Sequence, residues 1–118
     1  MVAANWKMQG DRKSNAILLG LLKSALGSCR DVDIVIAAPF VYLDQLHQVL
    51  QTSNIRLAAQ NVSEYDFGAY TGEISAAMLA DLFCTYAIVG HSERRQLFHE
   101  SDEVVIRKFV KLQAQSRW

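Results

Sequence analysis

Two short stretches carry side chains suited to chemistry at the end of a strand. One is Asn5-Trp6-Lys7-Met8, the other Gly90-His91-Ser92-Glu93-Arg94-Arg95, and each follows a short apolar run. Side chains alternate in direction along a strand. Ala3, Asn5 and Lys7 therefore share one face if the extended conformation persists through Lys7, and Ala87, Val89 and His91 share one face of a later strand. Both outposts then lie at strand C-terminal ends, where the loops of α/β proteins build binding sites. A lysine there offers a cation at the mouth of a cleft, and a histidine offers a ring that donates a hydrogen bond or a proton. Either residue alone is more often a solvated side chain. Their equivalent placement at two strand ends is what makes them candidates.

Other chemistries find little support. There is no G-x-G-x-x-G, no Walker A pattern and no nucleophile elbow. His47, His91 and His99 form no compact metal signature; His47 on a helix and His99 in a loop are expected to be solvated. Cys29 and Cys84 are far apart, which argues against a disulfide framework and suits a reducing compartment. Twelve basic and twelve acidic residues give no net charge, and the densest basic stretch is the pair Arg94-Arg95. That argues against nucleic acid as a partner and leaves anion binding to local groups. Apolar runs such as Ile34 to Phe40 fall far short of the roughly 20 residues that cross a bilayer. With no membrane segment and no secretory signal, a soluble cytoplasmic protein is the default.

The elements that must position these residues alternate along the chain. Val2 to Trp6 reads as a strand, followed by a helix from about Ser14 to Leu26 with Leu18, Leu22, Ala25 and Leu26 on its apolar face. Gly27 is expected to end it in a left-handed cap. Asp33 to Ala38 is apolar without alternation, as in a strand covered on both sides. A helix near Tyr42 to Leu50 presents Leu43, Leu46 and Leu50, and a third strand spans Ile55 to Ala59. Gln60 to Gly72 is a long polar loop of a length that often binds something. A helix over Ile74 to Phe83, a strand over Tyr86 to Val89 and a helix over Asp102 to Gln113, capped by Ser101, complete four βα units. An open four-stranded α/β sheet and half of a barrel both fit this pattern.

The stretch Asn5 to Met8, Ala58-Ala59-Gln60-Asn61, Gly68-Ala69-Tyr70-Thr71-Gly72-Glu73-Ile74 and Ile88 to Arg95 occur in order with βα spacing between them. Together they resemble the triosephosphate isomerase family, from Val2 to about Gln115. The resemblance implies the α/β class and the N-terminal half of a TIM (β/α)8 barrel, with four parallel strands each followed by a helix. It also implies an isomerase of glycolysis and gluconeogenesis, interconverting dihydroxyacetone phosphate and D-glyceraldehyde 3-phosphate through an enediolate. No cofactor or metal is implied, and the assembly would be a cytoplasmic homodimer.

Carried over residue by residue, Asn5 and Lys7 match the family's substrate-binding pair. His91 matches its electrophile, which polarises the substrate carbonyl and moves protons between the substrate oxygens; its neutral ring is an established property of this family. Glu93 resembles the carboxylate that pairs with the lysine and orients it, so the catalytic candidates are His91, Lys7 and Glu93. Tyr70, Thr71 and Gly72 lie in the loop that, in the family, protrudes into the partner subunit. They are the dimer-interface candidates, although Gly68 and Gly72 also serve simple turns. Arg94 and Arg95 read as salt-bridging residues.

Gln9 stands where the family commonly has Asn. After Gln115 the family would continue with a glycine and a fifth strand, whereas Ser116-Arg117-Trp118 follow here. A frameshift, an altered splice, a truncated product and a partial sequence joined to vector-derived residues all fit that ending. A complete barrel takes roughly 250 residues, so residues 1–118 are expected to be one partial-barrel domain without strands five to eight. The family's glutamate base and late phosphate-binding glycines would be missing with them, and Asp11, Glu64 and Glu73 are no substitutes. Two readings remain open: part of an active isomerase, expected on family grounds to be inactive by itself, or a non-enzymatic half-barrel that self-associates or binds a full-length subunit. A flavodoxin-like module is disfavoured, since no phosphate loop follows the first strand. Strands one and four should be open edges, and the inner layer around Val35 and Ala37 should lose its cover.

Overall fold

A computed structural model describes residues 1–115; the expectation attached to Ser116-Arg117-Trp118 lies outside the described residues. Four strands, β1 (Val2–Asn5), β2 (Ile34–Ala38), β3 (Ile55–Ala59) and β4 (Tyr86–Ala87), form one sheet in the order β1-β2-β3-β4. All three pairings are parallel, with Asn5 opposite Ala37, Ala37 opposite Ala58 and Ala58 opposite Tyr86. Sequential order with a helix in every crossover is what right-handed βαβ connections produce. The half-barrel expectation is met.

The helices are α1 (Arg12–Leu26), α2 (Leu43–Leu50), α3 (Ala76–Asp81), α4 (Ser92–Leu97) and α5 (Asp102–Gln113), with a 3-10 turn at Phe40–Tyr42 leading into α2. Capping decides most of their starts. Asp11 accepts from the amides of Lys13 and Ser14, both at 2.9 Å, while Ser14 Oγ returns to the Asp11 amide at 3.2 Å. That reciprocal box starts α1 two residues earlier than the apolar pattern suggested. Ser75 and Ser101 cap α3 and α5 by accepting from Met78 and Val104.

Alternation along the central strands divides the sheet into two faces. Ile36, Ala38, Ile55, Leu57 and Ala59 pack with Leu19, Leu43, Leu46, Leu79 and Leu112 to form the core between sheet and helices. Val35, Ala37 and Ala58 form a second cluster on the opposite face, flanked by Tyr86 and Ile88. Val35 is 3 % exposed and Ala37 2 %, so this inner layer is not stripped of cover as expected. Its residues are small, and the larger Tyr86 and Ile88 beside them shield them. The exposure is at the edge instead, where Val2 is 62 % exposed.

Several local expectations are corrected. Gly27 adopts φ −65°, a right-handed cap. The buried side of α1 is Asn15 and Leu19 with partly buried Leu22, while Leu18, Ala25 and Leu26 are exposed. Helix α3 is shorter than Ile74 to Phe83, because Ser75 caps it and Phe83 turns left-handed at φ 60°. His47 is not simply solvated: its ring stacks on Phe83 at 4.1 Å between centroids. Cys29 and Cys84 are both free thiols, and burial pushes the Cys84 thiol up to about 12.

The long β3–α3 connection is fastened to α5. Arg107 pairs with Glu64, Lys111 with Asp66, and the buried Lys108 donates to Asn61 at 2.9 Å and pairs with Glu100. Glu100 also receives Arg94 at 2.6 Å. Burial works to raise the Glu100 pKa, but the Lys108 and Arg94 hydrogen bonds outweigh it and hold the carboxyl below its ordinary value. This cluster ties α4, α5 and the loop into one body. Among the described residues no helix is long and apolar enough to cross a membrane.

Candidate functional site

Strand β1 ends at Asn5, one residue earlier than expected, and Lys7 has φ 53°. Extended alternation therefore stops before Lys7. A non-glycine residue in the left-handed region costs on the order of 1–3 kcal/mol and persists only where its surroundings hold it. Asn5 supplies part of that hold, its Oδ1 accepting the Lys7 amide at 2.9 Å. Gln60, at the end of β3, supplies more: its Nε2 lies 3.2 Å from Asn5 Oδ1, 2.9 Å from the Lys7 carbonyl and 3.0 Å from the Ala37 carbonyl.

At the other edge, ladder pairing of β4 stops at Ala87, so the strand is shorter than Tyr86 to Val89. Ala87 and Val89 pack against the helix-side core, and strict alternation would have sent His91 the same way. Gly90 breaks the alternation with φ 62°. A side chain there would also collide with Val105, whose Cγ2 lies 2.8 Å from the position of a Cβ. The chain turns at this glycine and starts α4, a short helix absent from the sequence pattern.

His91 caps α4, its Nδ1 accepting from the Glu93 amide at 3.2 Å. A ring nitrogen that accepts a hydrogen bond carries no proton, which assigns the tautomer with hydrogen on Nε2. Glu93 Oε2 approaches the same Nδ1 at 3.6 Å. That contact is an ion pair only for an imidazolium, so the amide bond is the interaction that defines the ring. The carboxylate's firm partner is Lys7: Nζ to Oε1 is 2.6 Å. This hydrogen bond is the main reason the Glu93 pKa lies below its ordinary value, opposed by partial burial and aided by the nearby charge of Lys7.

The first and fourth strands are thus bridged across the mouth of the sheet. Asn5, Lys7, His91 and Glu93 gather at strand C-terminal ends, with the His91 side chain 27 % exposed and those of Lys7 and Glu93 about half exposed. A cation, a carboxylate and a neutral hydrogen-bond donor share one accessible site. Such a set can grip an anionic substrate while polarising an oxygen beside it.

Gln60 was missed as a site residue, although its tetrapeptide was recognised. Tyr70, Thr71 and Gly72 are elsewhere, exposed on the β3–α3 connection, where Tyr70 stacks on Tyr65 at 3.8 Å and Gly72 takes φ 93°. Arg94 and Arg95 are salt-bridged as expected, to Glu100 at 2.6 Å and Asp102 at 2.5 Å. A cavity of about 240 Å³ near the start of β3, lined by His47, Arg56, Phe83 and Thr85 among others, belongs to the opposite end of the strands. Among the described residues, no group of three or more His, Cys, Asp or Glu side chains could hold a metal ion.

Parallel strands in sequential order, helical crossovers and a polar constellation at the strand C-terminal ends define four consecutive units of a (β/α)8-barrel protein. Comparison with known sequences narrows the class. A family model described as triosephosphate isomerase matches residues 1–116, and the chain belongs to that family. It is 50 % identical over 115 residues to a triosephosphate isomerase of Nitrosomonas europaea, covering 98 % of this chain and 46 % of that protein. A Thiobacillus denitrificans relative of the same description is 49 % identical, covering 97 % and 45 % respectively. One from Coxiella burnetii is 48 % identical, covering 92 % and 42 %. The chain spans about half the length of the curated relatives it matches.

Proposed function

We propose that this chain supplies the lysine–histidine half of a triose-phosphate isomerase site, acting on dihydroxyacetone phosphate and D-glyceraldehyde 3-phosphate through an enediolate. The observation that carries the reading is the bridge from Lys7 through Glu93 to the His91 cap, which joins the two edge strands at one mouth. In this reading Asn5 and Lys7 hold the phosphorylated substrate near the charge that develops on its oxygens. Glu93 orients the ammonium. His91, bare at Nδ1, presents its Nε2 hydrogen to the substrate oxygens and relays protons between them.

The reaction also takes a proton from carbon beside a carbonyl, a step in which a general base contributes about 10²–10⁴-fold. In the family reading that base and the phosphate-binding glycines belong to later strands, so the 118-residue partial-barrel domain has no turnover by itself. Cytoplasmic location and a homodimer formed through Tyr70, Thr71 and Gly72 belong to the same proposal.

A coupled assay tests it on two proteins: the chain alone, and a hybrid in which this chain replaces the matched segment of the Nitrosomonas europaea relative. The hybrid should isomerise triose phosphates, and His91→Gln should abolish the rate. A hybrid rate indifferent to His91→Gln would sink the assignment. A rate from the chain alone that His91→Gln removes would overturn the claim of incompleteness.

The exposed β1 edge favours one competing reading, a non-enzymatic half-barrel that pairs with itself or with a full-length subunit. Sedimentation velocity of the 118-residue chain, alone and mixed with the full-length relative, tests it: no association in either sample at micromolar concentration removes this alternative.

A further inference from the structure

We propose that Gln60 is a positioning residue for Lys7, holding the lysine backbone in the left-handed turn from which its ammonium reaches Glu93. Three features of the fold lead to this assignment.

The first is what β1 does at its end. Trp6 makes the last sheet-like contact of the strand, its amide donating to the Ala37 carbonyl at 2.9 Å. One residue on, Lys7 turns to φ 53° and its carbonyl leaves the ladder. A backbone conformation that L residues rarely adopt needs outside support to persist.

The second is where the support comes from. The Gln60 side-chain amide lies within hydrogen-bond distance of three acceptors: the Lys7 carbonyl at 2.9 Å, the Ala37 carbonyl at 3.0 Å and Asn5 Oδ1 at 3.2 Å. One donor group thus holds the departing residue, the neighbouring strand it departs from, and the asparagine that accepts the Lys7 amide. Asn5 and Lys7 are fixed relative to each other from both peptide groups of the turn. The hold requires a donor at this position, because all three partners are acceptors.

The third is the rigidity of the anchor. Gln60 follows directly on β3, whose Ala58 and Ala59 are 2 % and 0 % exposed, in the middle of the sheet. The edge strand therefore takes its end geometry from a buried strand end in the middle of the sheet. Lys7 Nζ to Glu93 Oε1 is 2.6 Å, between two side chains that are each about half exposed. A lysine swinging on an unsupported turn would spend less time at that distance. Misplacement by about 1 Å is worth on the order of 10²-fold in rate for a positioned group. That kinetic consequence rests on the isomerase reading; the hold on Lys7 does not.

Amide exchange at Lys7 in the chain and in the hybrid, together with hybrid kinetics, tests the proposal. In Gln60→Met, which keeps length and loses the donors, Lys7 amide exchange should accelerate by about 10-fold or more relative to amides of β3. The hybrid's kcat/KM should fall by about 10²-fold. Gln60→Glu keeps the shape and replaces the donors with a carboxylate, so it serves if Gln60→Met fails to fold. Its kcat/KM should be low at neutral pH and recover partly on acidification relative to the native hybrid, as protonation restores one O–H donor. A role confined to general stability would show the same recovery in the urea midpoint and no change in kcat/KM under conditions where the variant is fully folded. If both folded variants leave Lys7 exchange unchanged, Gln60 does not position Lys7. If exchange accelerates but kcat/KM stays within about 2-fold of native, positioning has no catalytic consequence and the proposal fails at that step. If the native hybrid has no His91-dependent rate, the isomerase reading falls, while the exchange measurement still decides what Gln60 does.

Discussion

The middle and the margins of this sheet are built for different tasks. Apart from half-buried Ile34 and exposed Arg56, strands β2 and β3 are buried on both faces: Val35, Ile36, Ala37 and Ala38 are at most 3 % exposed, and Leu57, Ala58 and Ala59 at most 4 %. They carry no charged candidate for chemistry. Strands β1 and β4 are short and partly uncovered, and Asn5, Lys7, His91 and Glu93 sit at or just beyond their ends. Rigid frame and reactive groups are thus separated laterally, and the ion pair of Lys7 with Glu93 spans the frame from one margin to the other. Chemistry at the margins needs a turn that leaves the ladder, which β1 makes at Lys7 and β4 makes at Gly90. The middle cannot make such turns without opening its core.

If the division holds, damage to each region should show in a different measurement. The largest effect is expected from His91→Gln in the hybrid enzyme: kcat/KM should fall by at least about 10²–10⁴-fold, with little change in the urea midpoint. A comparable loss of stability would mean that the histidine also belongs to the frame. Next is Leu46→Ala, at a side chain with no exposure in the helix-side core. It should cost about 2–5 kcal/mol by urea unfolding, while the Lys7–Glu93 contact survives in whatever remains folded.

Lys108→Met comes third. Its ammonium is buried against Glu100, and breaking a buried pair costs about 3–5 kcal/mol. The lower end is expected, because Arg94 still serves the same carboxylate. If removing Lys108 were neutral, the cluster joining α4, α5 and the loop would not be part of the frame.

The smallest effect sharpens the comparison through pH. Glu93 has a lowered pKa in the folded chain, so its contribution to stability is present above the ordinary carboxylate value of 4.5 and fades as pH falls through the lowered folded value. The urea midpoints of native chain and Glu93→Gln should therefore differ slightly at neutral pH and converge on acidification. Both partners are exposed, so the difference should be modest. A gap that widens in acid would reverse the sign and overturn the assignment of Lys7 as its principal partner.

Legibility in the sequence followed the kind of signal available. Helix α5 was found at its observed bounds, because Ser101, Asp102 and Glu103 mark its start and leave the boundary little freedom. Leu43, Leu46 and Leu50 were readable because α2 buries a plain apolar face. Helix α1 was read on the wrong side. Its buried line runs through Asn15, a polar residue that apolar periodicity cannot select, and its exposed leucines resemble a core stripe. Lys7, His91 and Glu93, and the pairing of Lys7 with Glu93, could be named from a family resemblance, but the turns that aim them could not. Alternation assumes unbroken strands, and the positive φ at Lys7 and Gly90 ends it just where the site begins. Gln60 gave no chemical signal alone, since its meaning comes from the ends of β1 and β3 meeting.

The turn at Gly90 has a consequence for how this protein can vary. A methyl group added there meets two obstacles of different origin. One is Val105, with its two methyl carbons 2.8 and 2.9 Å from the new atom. The other is the residue's own φ of 62°, which no change elsewhere relieves. Val105→Ala would clear the first obstacle and leave the second. A side chain at position 90 therefore needs the paired change and still bears the left-handed backbone cost of about 1–2 kcal/mol that Lys7 and Phe83 also bear, and His91 inherits that constraint because its peptide begins at the glycine. Variation around the histidine has to enter from Arg94, Arg95 and the helix beyond them, where side chains can change while the backbone keeps its path.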